Sequence, residues 1–185
     1  MEPFSVSDQK LVLESLSDQA YAITPDATGF YKEQCMVCFH KNGHESGVML
    51  EVRHHQTCTS FQICWTGKVT DRMISNAYVD HLKYVDFGAC AVALLLIRRI
   101  TDYKAVQQSA IGTTIDYYLA PQDQDDDLIF NHAARLEVAG ILKENENNTV
   151  KDRIMKKRNR LKESSLPTYI IVIEFSRPWS EMVEI

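Results

Sequence analysis

Apolar residues recur along the chain in two periods, and the alternation between them predicts the elements. "SVSDQKLVLESL" predicts a short N-terminal helix capped by Ser5 or Ser7, with Leu11, Leu13 and Leu16 on its apolar face. "TPDATG" at 24–29 is a turn-rich break. In "EQCMVCFHKNGHESGVMLEV" two strand-like runs flank an Asn-Gly pair, a hairpin signal because both turn positions tolerate positive φ. "TSFQICWTG" adds a third run, so residues 33–66 are expected to form an antiparallel meander. Thr70 can cap a helix running from about 71 to about 107, with Ile74, Ala77, Tyr78, Leu82, Val85, Cys90, Ala93, Leu94 and Ile97 at helical spacing. Because it is apolar on nearly all sides over 87–97, this helix should lie centrally, with Gly88 as a kink or a close packing point.

A second series follows: strand 111–120, acidic loop "PQDQDDD", strand 128–141, polar loop "KENENN", helix 149–163 capped by Thr149, and strand 168–176 after Pro167. The expected class is α+β, an α/β sandwich. A mixed sheet is flanked by the long central helix and a basic helix and preceded by the meander. All 185 residues form one domain, with 1–70 as helix and meander and 71–185 as the helix-strand-strand-helix-strand core.

Three of these strands carry a carboxylate amid apolar residues: Asp116, Glu137 and Glu174. A charge withdrawn from water must be paired, hydrogen-bonded or bound to a metal. Strand alternation puts Arg135, Glu137 and Ala139 on one face, and Ile170, Val172 and Glu174 together on another. Two readings follow. Asp116 and Glu137 either converge across neighbouring strands to hold Mg2+ or Mn2+, hard cations that take oxygen ligands, or they are structural. In the structural case Glu137 pairs with a cation such as Arg135, and Asp116 accepts a hydrogen bond from a tyrosine or a loop amide.

Composition narrows the surroundings. The chain is 45% hydrophobic and 24% charged, with a net charge of -5, which argues against nucleic-acid binding over the whole surface but not at a local patch. Such a patch is concentrated in 151–162, where Lys151, Arg153, Lys156, Lys157, Arg158, Arg160 and Lys162 face one acid, Asp152. It is either a phosphate-binding face or a solvated surface balanced by "DQDDD" at 123–127. The start of the chain lacks a basic stretch followed by an apolar one. The longest apolar run, 87–97, falls well short of the roughly 20 residues that span a bilayer. A cytoplasmic protein without membrane contact is expected, and five unevenly spaced cysteines fit reduced thiols. Cys35, Cys38, His55 and Cys58 come near the spacing of a zinc site. On strands, however, residues three apart point to opposite faces, so buried thiols and turn histidines are expected instead. The absence of a Gly-rich phosphate loop, a Ser-His-Asp set or a nucleophile elbow argues against an NTPase or a serine hydrolase.

The order helix, strand with Asp116, strand with Glu137, helix, strand resembles the core of the restriction-endonuclease-like PD-(D/E)XK nucleases over roughly residues 85–176. The resemblance implies metal-dependent cleavage of nucleic acid, with Asp116 and Glu137 as metal ligands. The family pattern has Lys two residues after the second acid, where this chain has Ala139. The resemblance then looks to the following helix for that Lys, among Lys151, Lys156 and Lys157. Lys156 is taken as the catalytic one, with Lys151, Lys157, Arg158 and Arg160 binding the nucleic-acid backbone. "IDYYL", "ARLEVAGI" and "LPTYIIVIEFS" are also similar to an uncharacterised group of bacterial proteins. A second function class stays open beside the first. It is a non-catalytic adaptor, immunity or inhibitor protein in a bacterial defence or toxin system, binding a protein partner through the acidic loop and an exposed "RPWSEMVEI" anchored by Trp179.

Overall fold

Thr24 and Pro25 start the first long helix, in a computed structural model that describes residues 9–20, 22–124 and 131–185. Thr24 is extended and its side chain accepts the Ala27 N–H. Pro25 takes the first helical position, where a missing N–H loses nothing. With β1 (Lys10–Val12) and α1 (Leu16–Gln19) before it, this helix is α2, Pro25–His40. The expected break at 24–29 and the first strand of the meander are therefore one helix. Asn42-Gly43 ends the helix rather than turning a hairpin. Gly43 has φ 79°, and the Asn42 amide donates to the Cys38 and Leu142 carbonyls at 2.9 Å each. The hairpin lies further on, between β2 (Val48–His54) and β3 (Thr57–Cys64).

The N-terminal helix is replaced by β1, which pairs in parallel with β3, and by a short helical segment through α1. The caps Ser5 and Ser7 lie outside the described residues. The long helix is shorter than its periodicity implied. A π-turn at Met73–Ala77 precedes α3, His81–Ile100, whose N-terminus is capped by Asp80. Thr101 ends α3 by turning extended and accepting the Tyr103 N–H, and the chain enters β4, Tyr103–Gln108. Residues 111–114 are turn, with Gly112 and Thr114 at φ 91° and 66°, so the next strand is only β5, Tyr117–Pro121. Then follow β6 (Ala134–Ile141), α4 (Val150–Arg160, with a Thr149–Asp152 capping box), β7 (Thr168–Glu174) and β8 (Trp179–Glu184). Residues 125–130, which include Asp125, Asp126 and Asp127 of the acidic loop and the expected start of strand 128–141, lie outside the described residues.

Among the described residues, one mixed sheet of eight strands runs in the order β1-β3-β2-β8-β7-β6-β5-β4. The pairs β1/β3, β2/β8 and β6/β7 are parallel and the others antiparallel. The α+β class holds. The larger core joins α2 and α3 to one face through Leu50, Phe61, Leu136, Ile171 and Ile173. A smaller core seats α4 on the other face through Ala139, Ile141, Ile170 and Val172. The expected faces of β6 and β7 are those observed. Two glycines let backbones approach: a Cβ at Gly88 would meet Cys38 Sγ at 3.0 Å, and one at Gly140 would meet the Val85 carbonyl oxygen at 2.5 Å.

"RPWSEMVEI" is not an exposed tail. β8 lies between β2 and β7, Ser180 and Met182 are buried, and Arg53 stacks on a half-buried Trp179. Trp179 therefore opens a paired strand inside the sheet rather than an exposed tail. Among the described residues no helix is long and apolar enough to cross a membrane.

Candidate functional site

The three strand carboxylates have two different explanations. Glu174 is fully buried and brackets a turn. Its Oε1 accepts the Ser176 N–H (3.0 Å), the Ser176 hydroxyl (2.6 Å) and the Glu144 N–H (3.3 Å), and its Oε2 accepts the Arg177 N–H (2.8 Å). The Glu144 side chain in turn accepts the Val150 N–H at the start of α4, at 2.6 Å. Glu174 is thus a structural acid joining the β7–β8 turn to the loop that launches α4.

Asp116 and Glu137 are brought together. β6 runs on past the start of β5, leaving the Val138 N–H without a ladder partner, and Asp116 Oδ2 accepts it at 2.7 Å. This fixes the Asp116 carboxyl beside Glu137, the residue before Val138 on β6. Glu137 is buried, and its other neighbour is the Lys157 ammonium, which pairs with Oε1. Burial first, and then the Asp116 charge, push the Glu137 carboxyl up to about 7 despite the opposing pull of Lys157. The Glu137–Arg135 pair does not form. The Arg135 guanidinium donates to Thr168 Oγ1 and the Lys162 carbonyl instead.

Lys156, expected from the sequence to be the catalytic Lys, is exposed, and the lysine that pairs with Glu137 is Lys157. One helical residue rotates a side chain by about 100°, and only the docking of α4 on β6 and β7 decides which lysine meets Glu137. Lys151, Arg158 and Arg160 are exposed on the outer side of α4. Lys162, just past the helix, donates from Nζ to the Gly112 carbonyl at 2.8 Å, which ties the end of α4 to the 111–114 turn.

That turn borders a cleft of about 720 Å3 between α3 and the start of β5. Asp116 lines it, facing Asp86 and Cys90 of α3, with Tyr31, Phe87 and Ile111 around it. Asp86 was missed by the sequence reading. Its only signal was a lone acid in the apolar run "YVDFGAC". Phe87 and Ile111 are exposed, as is Phe30, whose ring lies 5.0 Å from that of Phe87. The cleft is therefore lined by two acids, Asp86 and Asp116, together with apolar and aromatic side chains. Its size suits a small polar group held among apolar walls.

The raised Glu137 carboxyl makes a stability prediction. A carboxyl that holds its proton more tightly folded than unfolded favours the fold fully below its unfolded pKa of about 4.5. That contribution is lost as pH rises through about 7. The loss is on the order of 3 kcal/mol. In Glu137→Gln it is absent. With a chelator present, the melting temperature of the variant should match wild type near pH 4.5 and exceed it by several degrees at pH 8. A difference that does not grow with pH would show that Lys157 fully neutralises Glu137.

The thiols are not ligands of a shared site. Cys35 and Cys38 are buried in α2 at its crossing with α3, where burial pushes both thiols up, while Cys58 is exposed on β3 and donates to Glu51. Compared with known proteins, the chain matches no family model, no curated protein and no solved structure.

Proposed function

We propose that this protein is a metal-dependent nuclease-like enzyme acting on nucleic-acid phosphodiesters. The observation that carries this reading is the meeting of Asp116, Glu137 and Lys157 from three separate elements beside an open cleft. A buried carboxyl kept partly protonated next to a second carboxyl is a poor device for stability and a common one in active sites. Two adjacent carboxylates suit Mg2+ or Mn2+. When bound, such an ion lowers the pKa of its water and neutralises charge on phosphate. The chain supplies the rest. Asp116 is held rigid by the Val138 N–H, and Lys157 is placed to orient a water or to stabilise developing charge. The exposed Lys151, Lys156, Arg158 and Arg160 attract the backbone, and the aromatic lining offers surfaces for bases.

The order of α3, the antiparallel strands β4 to β6, α4, and β7 parallel to β6 also supports the resemblance to PD-(D/E)XK nucleases, with Lys157 standing in for the Lys missing at Ala139. The alternative is a non-catalytic bacterial partner protein. The exposed Leu82 and Ile111 at the cleft favour it, since a protein would cover them.

The test is cleavage of single- and double-stranded DNA and RNA oligonucleotides with Mn2+ or Mg2+. Wild type is compared with Asp116→Asn, which keeps an acceptor for the Val138 N–H, and with Lys157→Met. Cleavage by wild type, reduced at least 100-fold in both variants, is expected. No cleavage of any substrate by folded wild type, or activity that survives in both variants, overturns the nuclease reading and leaves the partner reading.

A further inference from the structure

At the end of the sheet formed by β2 and β8, three ligand-type side chains converge that the carboxylate site does not use. His54 is the last residue of β2, His55 opens the β2–β3 turn, and Glu184 is the last residue of β8. β2 and β8 run in parallel with His54 beside Met182, so Glu184 lies one strand period further on, on the same face as Met182. Consecutive residues on a strand point to opposite faces and their side chains do not meet. Here the left-handed conformation of His55, at φ 53°, folds its ring back, and the two imidazoles lie 4.0 Å apart. One donor atom from each of His54, His55 and Glu184 lies within 4.8 Å of the other two.

Two further observations point to a ligand. His54 Nε2 is buried and has no hydrogen-bond partner, a loss that native structures avoid unless an ion or water fills the place. Glu184 also stands directly opposite Tyr169 of β7 in the ladder, so a second side chain flanks its carboxylate. Metal-ligating side chains are typically fixed by such outer contacts.

We propose that His54, His55 and Glu184 form a binding site for a divalent transition metal, zinc being the fitting ion. Two imidazoles and a carboxylate are a borderline-soft donor set. They prefer zinc and its neighbours to the hard magnesium or manganese that suit Asp116 and Glu137. Zinc bonds of about 2.0–2.2 Å in a tetrahedron set ligand atoms roughly 3.3 Å apart. Small rotations of the exposed His55 and Glu184 side chains close that gap. Three protein ligands leave the fourth position to water.

The test titrates Co2+, a spectroscopic substitute for zinc, into the full chain, with visible absorption as the readout and Zn2+ as competitor. His55→Asn keeps a residue that tolerates the left-handed turn, and Glu184→Gln is an exposed isosteric change, so both variants fold. Asp116→Asn/Glu137→Gln is the control for the other site. The expected result is ligand-field bands in wild type and in the control, displaced by Zn2+, with affinity at least tenfold weaker in His55→Asn and in Glu184→Gln. No bands in wild type, bands retained at full affinity in both site variants, or loss of the bands in the control overturns the proposal. So does a strong thiolate-to-cobalt band, which would assign the ion to Cys58 instead. Because the control separates the two sites, failure here leaves the nuclease reading untouched.

Discussion

Glu174→Ala is expected to destabilise the fold by about 3–5 kcal/mol, because several neutral donors lose one charged acceptor together. Four donors converge on that carboxylate, and none has another acceptor at the same place. For a chain of this size the change corresponds to a fall in melting temperature on the order of 10 °C. Glu174→Gln, which keeps one oxygen, should lose roughly half as much. Ser176→Ala, which removes a single hydroxyl donor, should lose about 1 kcal/mol. Urea unfolding monitored by circular dichroism orders the series. Equal stability of the alanine variant and wild type would mean that water replaces the carboxylate without loss, and that the turn does not depend on it. The variant should also loosen the start of α4, since the Glu144 N–H loses its acceptor.

Gly140→Ala is the second large effect. The added Cβ would lie 2.5 Å from the Val85 carbonyl oxygen and 2.6 Å from Val85 Cγ1. The first of these is backbone of a buried helix, so α3 as a whole must shift. Overpacking of this kind costs about 3 kcal/mol, at the upper end of the usual range. Gly140→Val should not fold. Gly88→Ala is the milder comparison, because its nearest contact is the Cys38 side chain at 3.0 Å. Denaturation midpoints decide it: a Gly140→Ala protein as stable as wild type would mean that α3 and β6 do not approach this closely. Val85 precedes Asp86, so a folded Gly140→Ala protein should also have the α3 wall of the cleft displaced.

The parts legible in the sequence were those set by strand alternation. The faces of β6 and β7 follow from a period of two. What was not legible depended on signals that two structures share. Asn42-Gly43 marks a positive φ, and both a hairpin and a helix end use one. The deciding information lay far upstream, in Thr24-Pro25 as a helix start. Tyr103–Gln108 continued the helical pattern of α3, and only the extended Thr101 breaks it. Lys157 and Asp86 depend on how α4 and α3 are rotated against the sheet, which no local pattern encodes. The His54–His55–Glu184 group needed both a left-handed turn residue and a strand read as a tail.

The place of β8 in the sheet bears on how the chain reaches its fold. β8 is the strand latest in sequence, yet it joins β1, β2 and β3 on one side to β4 through β7 on the other. The pairing of Arg53 with Glu181 closes a loop of 128 residues, a non-local contact whose entropy is lost before its hydrogen bonds form. Until then the early hairpin and the later core have no common ladder, and each shows an open edge to solvent and to other chains. The barrier to folding should therefore lie in the docking of this strand. The β2–β3 ribbon, which reaches the later core's strands only through β8, is the natural first unit to detach when the protein opens locally.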